Sequence, residues 1–233
     1  DLDLEEAAVF DGGDLELPFG DTEAALSMIE ERAEKILSDK KLPFLIGGEH
    51  LVTLGALRAV FCVHPDLVVI HFDAHTDLRD EYLGVKLSHA SVIRRVWDLL
   101  GDDRIYQFGI RSGERAEWKW AQEGHTKLTP FDFTGLEAVL KKIEGKPVYF
   151  TIDLDVLDPA YFPGTGTPEA GGVTFLDLLG AARKVISCAN VVACDLVELA
   201  PLLDASGVST AVALKLLREM LLMQELPFLR PKK

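Results

Sequence analysis

Cysteine is scarce: the chain of 233 residues has three, Cys62, Cys188 and Cys194, and none stands at zinc-ribbon or redox spacing. An odd, widely spaced set excludes a closed disulfide framework and reads as small core residues in a reducing compartment. Long apolar runs are missing as well. No window approaches the roughly 18 continuous apolar residues that a membrane span needs. The start, Asp1-Leu2-Asp3-Leu4-Glu5-Glu6, is acidic where a secretory signal is basic and then apolar. The expected location is the cytoplasm, with no membrane partner. Positive charge is in deficit: 24 Lys and Arg against 38 Asp and Glu leave a formal charge of −14 at pH 7. Such a balance repels nucleic acid and anionic membranes and favours a cationic partner. Glycine, at 19, and proline, at 11, are too few for a collagen-like or low-complexity chain. What remains, 48% hydrophobic and 27% charged residues, is the composition of a chain that buries a substantial core.

Apolar segments alternate in kind along the chain. From Thr22 to Ser38 the apolar residues Ala25, Met28, Ile29, Ala33, Ile36 and Leu37 recur at spacings of three and four, which predicts a helix. Leu42 to Ile46 is a short apolar strand closed by Gly47-Gly48, and Leu51 to Phe61 is again helical. Strands follow at Leu67 to Phe72, Arg104 to Gly109, Val148 to Ile152 and Val191 to Val197. Between and after them, helices are expected at Ala90 to Leu100, Glu114 to Glu123, Leu136 to Ile143, Phe175 to Ile186 and Ser206 to Met223. Strands that are apolar throughout, each separated from the next by a helix, belong to a parallel sheet covered on both faces. The expected fold class is α/β, with one domain over residues 1–233. Ligands in such sheets bind beyond the carboxyl ends of the strands.

Three of those strand ends carry the same kind of side chain. The first runs through Gly47-Gly48-Glu49 into His50, the second into Asp73-Ala74-His75-Thr76-Asp77, and the fourth into Asp153-Leu154-Asp155. In extended backbone, alternate residues face one side, so Asp73, His75 and Asp77 converge, as do Asp153 and Asp155. A single Asp-x-His is more often surface or capping chemistry, and an Asp ahead of Pro159 caps a turn readily. Two acidic clusters, each closing an apolar strand, resist that account. Four carboxylates brought together in a dry site repel one another and take up protons unless a cation compensates them. A set rich in oxygen with some imidazole and no thiolate suits Mn²⁺ better than zinc or iron–sulfur. Six ligands exceed one tetrahedral ion, which favours two ions, a pairing that acidifies a shared water when they lie about 3.5–4 Å apart.

Taken together the motifs resemble the ureohydrolase family of arginases and agmatinases. They are Gly47-Gly48-Glu49-His50, Asp73-Ala74-His75-Thr76-Asp77, Ser88-His89, Thr151 to Pro159 and Asp195-Leu196-Val197-Glu198. The resemblance runs from about residue 40 to 222, with Pro163 to Glu169, Gly171-Gly172 and Asp204 to Thr210 also matching. It implies a three-layer α/β/α fold with a mostly parallel central sheet. It also implies two Mn²⁺ per chain and hydrolysis of a guanidinium group to urea by a metal-bridging hydroxide. Carried over position by position, His50, Asp73, Asp77 and Asp153 would hold one ion, and Asp73, His75, Asp153 and Asp155 the other, with Asp73 and Asp153 as bridges. Glu198 would grip the guanidinium, whose planar fork of donors suits a carboxylate. His89 would pass a proton to the leaving amine. By contrast, His64 ahead of Pro65, His71 within a strand and His125 in a loop read as structural.

Within that family the chain looks most like an agmatinase. Arginases hold the amino-acid head of arginine with a stretch ending Ser-Gly-Asn, and Leu78 to Leu87 contains none. The resemblance therefore implies a small cationic guanidino substrate, agmatine, cleaved to putrescine and urea, in a homo-oligomer of three or six chains. Guanidinobutyrate or arginine is the alternative substrate, and a mononuclear zinc deacetylase sharing the fold is the rival chemistry. Two departures stand out. The family's Ser-His-Gly is Ser88-His89-Ala90 here, and its N-terminal strand and Gly-rich loop have no match, so a further segment is expected ahead of Asp1.

Overall fold

A computed structural model describes residues 3–229. Asp1 and Leu2, on which part of the acidic start falls, lie outside the described residues. The strands are β1 (Phe44–Ile46), β2 (Val68–Phe72), β3 (Ile105–Ile110), β4 (Lys127–Pro130), β5 (Pro147–Asp153) and β6 (Asn190–Val197). The helices are α1 (Thr22–Ser38), α2 (Val52–Val63), α3 (Val92–Leu100), α4 (Arg115–Gln122), α5 (Leu136–Lys142), α6 (Phe175–Cys188) and α7 (Val208–Leu229). The sheet runs β1-β6-β5-β2-β3-β4, and its strand pairs are all parallel.

Successive residues of a strand face opposite sides of the sheet, and β2 shows both. Val68, Ile70 and Phe72 enter a core built with Leu136 and Leu140 of α5, Leu178 and Val185 of α6 and Leu216 and Met220 of α7. Leu67, just ahead of the strand, and Val69 enter the opposite core, with Leu26 and Ile29 of α1, Leu54 and Leu57 of α2 and Val92 and Val96 of α3. The molecule therefore has the expected three layers, helices on each face of the sheet. Each fully buried large apolar side chain contributes about 1.5–3 kcal/mol, and the central strands β2, β3 and β5 are buried along their whole length.

Strand order places the site. From β2 the chain moves outward to β3 and β4, then returns to lay β5 on the other side of β2 and continues to β6. That reversal between β2 and β5 opens a crevice at the carboxyl ends of the two strands. Asp73 follows β2 directly and Asp153 ends β5. On the far side of β6, β1 brings in His50.

Four details differ from the sequence reading. Strand β4 was not anticipated, because Lys127-Leu128-Thr129-Pro130 is a half-exposed edge with little apolar signal. Asp77 has φ +52, so extended backbone does not carry the ligand spacing to its end. Asp155 lies in a 3-10 turn, Leu154–Val156. Cys62 and Cys188 are exposed free thiols, and only Cys194 is buried, because the first two fall on the outer faces of helices.

Candidate metal centre

The six candidate ligands converge. His50, buried at the entrance to α2, sets Nδ1 3.2 Å from Asp73 Oδ2, 3.2 Å from Asp77 Oδ2 and 3.3 Å from Asp153 Oδ2. Beside them, His75 Nδ1 lies 3.0 Å from Asp155 Oδ2 and 3.5 Å from Asp73 Oδ1. Asp73 thus faces both groups, one oxygen to each. Local structure explains the tightness. Gly47 sits where a Cβ would lie 2.7 Å from Val52 Cγ2 and 3.1 Å from Val197 Cγ1, so only glycine lets the β1–α2 loop press against β6. The Glu198 backbone N–H then donates to the Gly48 carbonyl at 2.8 Å.

A second layer of contacts orients these side chains. His50 Nε2 lies 3.0 Å from the Thr151 hydroxyl, and Thr151 stands beside Asp195 in the β5–β6 register. Asp195 is fully buried and accepts from Thr53 at 2.8 Å and from the Tyr149 hydroxyl at 2.7 Å. His71 Nε2 lies 2.7 Å from Asp73 Oδ2, and its Nδ1 is 3.1 Å from Gln107 Nε2. Backbone N–H groups complete the set: His75 N–H donates to Asp73 Oδ1 at 2.6 Å, Asp155 N–H to Asp153 Oδ1 at 2.9 Å, and Ala74 N–H to Asp155 Oδ1 at 3.1 Å.

These contacts allow a test of whether a cation fits. His50 Nδ1 is buried and has no hydrogen-bond partner, although three carboxylate oxygens surround it. With the Nε2 proton given to Thr151, Nδ1 carries a lone pair that meets three more lone pairs. Such an arrangement is repulsive unless positive charge stands among them. The electrostatics agree. Burial, then the charge of Asp73, pushes the Asp77 carboxyl up to about 7. Burial, then Asp155 and Asp73, raises Asp153 well above the carboxylate range, and burial and Asp73 raise Asp155. For His75, burial opposes the charged form, but Asp155 and Asp73 outweigh it and push the pKa up to about 12. Protons gather where a cation would otherwise serve. Donor atoms of His50, His71, Asp73 and Asp77 lie within 4.8 Å of one another, as do those of Asp73, His75 and Asp155.

Around this cluster opens a cleft of about 320 Å³, with Tyr82, His89, Glu114 and Glu198 on its walls. Glu198, with φ +66, is half-buried, and its Oε1 accepts the His50 backbone N–H at 2.7 Å. Burial raises its pKa. His89 begins a single 3-10 turn capped by Ser88, is half exposed, and holds Nδ1 3.6 Å from Glu49 Oε2, a contact that raises its pKa. In the same wall, Arg79 pairs with Glu114 at 2.9 Å.

The family model described as the arginase family matches residues 1–223. The chain belongs to the arginase family. It is 51% identical over 224 residues to the agmatinase of Bacillus anthracis, a match covering 95% of this chain and 77% of that one. A guanidinobutyrase of Pseudomonas aeruginosa is 36% identical over 228 residues, covering 91% and 70%. Among solved structures, a candidate agmatinase from Clostridium difficile superposes with a TM-score of 0.93 at 50% identity, covering 96% of this chain and 82% of that one. The protein is an agmatinase-like ureohydrolase, and its buried His and Asp cluster is compatible with the metal dependence of the arginase family.

Every ligand singled out from the ureohydrolase motifs stands in this cluster, and His89 and Glu198 both line the cleft. Asp158 takes the bland role, accepting from the Ala160, Gly171 and Gly172 N–H groups. His125 stacks on Trp120 at 3.9 Å, away from the cleft. Two residues that touch the ligand loops escaped the sequence reading, Arg111 and Glu117. Arg111 carried the same signal as the ligands, a charged side chain directly after the apolar strand β3. Glu117 did not, since it reads as an ordinary first-turn helix acid.

Proposed function

We propose that the protein hydrolyses the guanidinium group of agmatine, giving putrescine and urea, with two Mn²⁺ per chain. One ion would be held by His50, Asp73, Asp77 and Asp153, the other by Asp73, His75, Asp153 and Asp155. The observation that carries this reading is the partnerless His50 Nδ1 among three carboxylate oxygens. Asp73, with an oxygen toward each group, favours two ions over the single zinc of a deacetylase. Two such ions would neutralise the carboxylates and would supply a water acidified to a pKa near 7.

The protein's own groups do the rest. Glu198 has Oε1 taken by the His50 N–H, which leaves Oε2 for a guanidinium N–H and turns the planar cation toward the cluster. Half-buried, it gains more from that pairing than an exposed carboxylate would. His89, whose pKa the neighbouring Glu49 carboxylate raises, is the wall residue that can pass a proton to the departing amine. The balance is one water consumed: a C–O bond forms, the C–N bond to the alkylamine breaks, and both hydrogens of the water end on the departing nitrogen, one replacing the proton that His89 lends, so the amine leaves as an ammonium.

Agmatine is favoured over guanidinobutyrate by the cleft wall. Arg79 is the cation that a carboxylate tail would seek, and Glu114 already neutralises it at 2.9 Å. Urea release should be measured with agmatine, arginine and guanidinobutyrate in the presence of Mn²⁺. Agmatine should lead in kcat/KM by at least about tenfold, or about 1.4 kcal/mol. A lead for either other compound overturns the substrate assignment, and no urea from any of them overturns the reaction. The reading includes a cytoplasmic setting, supported by the free thiols of Cys62 and Cys188. Among the described residues no helix is long and apolar enough to cross a membrane.

A further inference from the structure

The connection between β3 and α4 touches both halves of the cluster. Its backbone brackets His75: the Arg111 and Ser112 N–H groups donate to the Ala74 carbonyl at 2.8 and 2.9 Å, and the Thr76 N–H donates to the Ser112 carbonyl at 3.0 Å. Gly113 lies so close to Thr76 that a Cβ there would meet Thr76 Oγ1 at 2.6 Å. Two side chains extend this contact in opposite directions.

Glu117, 4% exposed, accepts through Oε1 from the Thr76 hydroxyl at 2.6 Å and from the Leu78 N–H at 2.9 Å. Those residues flank Asp77, whose φ of +52 is a conformation that non-glycine residues adopt at a cost. Its Oε2 accepts the Glu114 N–H at 2.6 Å, which ties the contact to the first turn of α4. Arg111 reaches the other half. Its guanidinium donates to the carbonyls of Asp155 at 2.7 Å, Glu169 at 2.8 Å, Gly109 and Val156 at 3.2 Å, and Leu157 at 3.4 Å. Three of these are carbonyls of the short turn that carries Asp155 and its exit, which such a turn cannot satisfy itself. A planar fork of donors can serve several at once, whereas an ammonium cannot.

We propose that Arg111 and Glu117 are positioning residues of the metal centre. Acting from the first turn of α4, Glu117 holds Asp77 against His50, and acting from the connection that leads into that helix, Arg111 holds Asp155 against His75. The proposal rests on reading those residues as ligands, and it adds that each half of the centre has its own clamp.

Manganese titration calorimetry and electron paramagnetic resonance of the loaded protein test it, the latter reading the magnetic coupling of a manganese pair. Glu117→Met removes every acceptor and should weaken one of the two binding steps about 10–100-fold, the range seen when groups that orient metal ligands are lost. Glu117→Gln keeps Oε1 for Thr76 and Leu78 and should restore most of that affinity. Arg111→Lys keeps the charge, loses the fork and should weaken one step by a similar factor. The coupled signal should fade in both weakened variants at manganese levels that saturate the parent. Double-mutant cycles separate the halves: Glu117 should couple to Asp77→Asn and Arg111 to Asp155→Asn, with the crossed pairs additive. If Glu117→Met does not fold, Thr76→Val, which removes only the hydroxyl end of the clamp, carries the test with the same expected direction. Folded variants that keep both affinities within about twofold of the parent and retain the coupled signal overturn the proposal, even if their thermal stability falls. A parent protein that binds no manganese overturns the ligand reading instead.

Discussion

Thr151→Val tests the logic of the metal site with a change of almost no volume. The substitution replaces the hydroxyl 3.0 Å from His50 Nε2 with a methyl group. His50 is 1% exposed, so water cannot take over as acceptor, and its N–H is left buried and unpaired. An orphaned donor of this kind costs about 1–3 kcal/mol. For a chain of this size each kcal/mol moves the midpoint by about 2–4 °C, so metal-free protein should melt roughly 2–12 °C lower. A second effect follows from orientation. Without Thr151 the imidazole no longer has a reason to present Nδ1 to Asp73, Asp77 and Asp153, and manganese affinity should fall about 10–100-fold, or about 1.4–2.8 kcal/mol. Denaturant unfolding of chelated protein measures the first quantity and titration calorimetry the second. Thr53→Val is the matched control. It removes a buried 2.8 Å hydrogen bond to Asp195 without touching His50, so it should lose stability while keeping more of its metal affinity. If Thr151→Val loses stability but binds manganese as the parent does, the ring is not oriented by this contact and the argument fails.

Asp153→Asn should abolish urea release and lower bound manganese with little change in circular dichroism; full activity in that variant removes Asp153 from the ligand set. His89→Ala should slow turnover by about 10²–10⁴-fold while both ions stay bound, and loss of manganese on metal analysis would instead make His89 a ligand. Chelated protein should lose stability as pH rises. Asp77, raised from 3.8 to about 7, stays protonated in the folded chain after the unfolded chain has ionised, so its share falls across that window. His75, raised from 6.5 to about 12, contributes fully below 6.5 and progressively less above it, a slope of the same sign. Thermal midpoints without metal should therefore drop between about pH 5 and about pH 9, and added manganese should raise them more at the alkaline end. A chelated protein that is more stable at the alkaline end refutes this account.

Local signals in the sequence carried much of the fold. The strands β2, β3 and β5 are apolar without alternation because they are buried on both faces, and that property is visible one residue at a time; β1, a partly exposed edge, and β6, buried over its second half, kept enough apolar residues to be read the same way. Strand β4 was hidden because it is a half-exposed edge, where Lys127 and Pro130 give up the apolar signature. The ligand clusters were legible for a related reason: a carboxylate or imidazole directly after a buried strand has no bland purpose that repeats three times. The spacing argument was right about destination and wrong about route. Asp77 arrives through a left-handed residue and Asp155 through a 3-10 turn, and neither conformation leaves a periodic trace.

By itself, then, the sequence determined the layered α/β architecture, the donor chemistry of His50, Asp73, His75, Asp77, Asp153 and Asp155, and the likeness to ureohydrolases. All of these depend on residue type and short spacing. Only the tertiary structure decided that Asp73 offers one oxygen to each half of the cluster, that His50 Nδ1 is left without a partner, and that Arg111, just after β3, and Glu117, in the first turn of α4, reach the turns that carry Asp155 and Asp77. Those facts depend on strand order. β5 lies beside β2 although the residues that meet there, Asp73 and Asp153, are far apart along the chain, and a distance across a parallel sheet is set by packing between distant segments that no local pattern records.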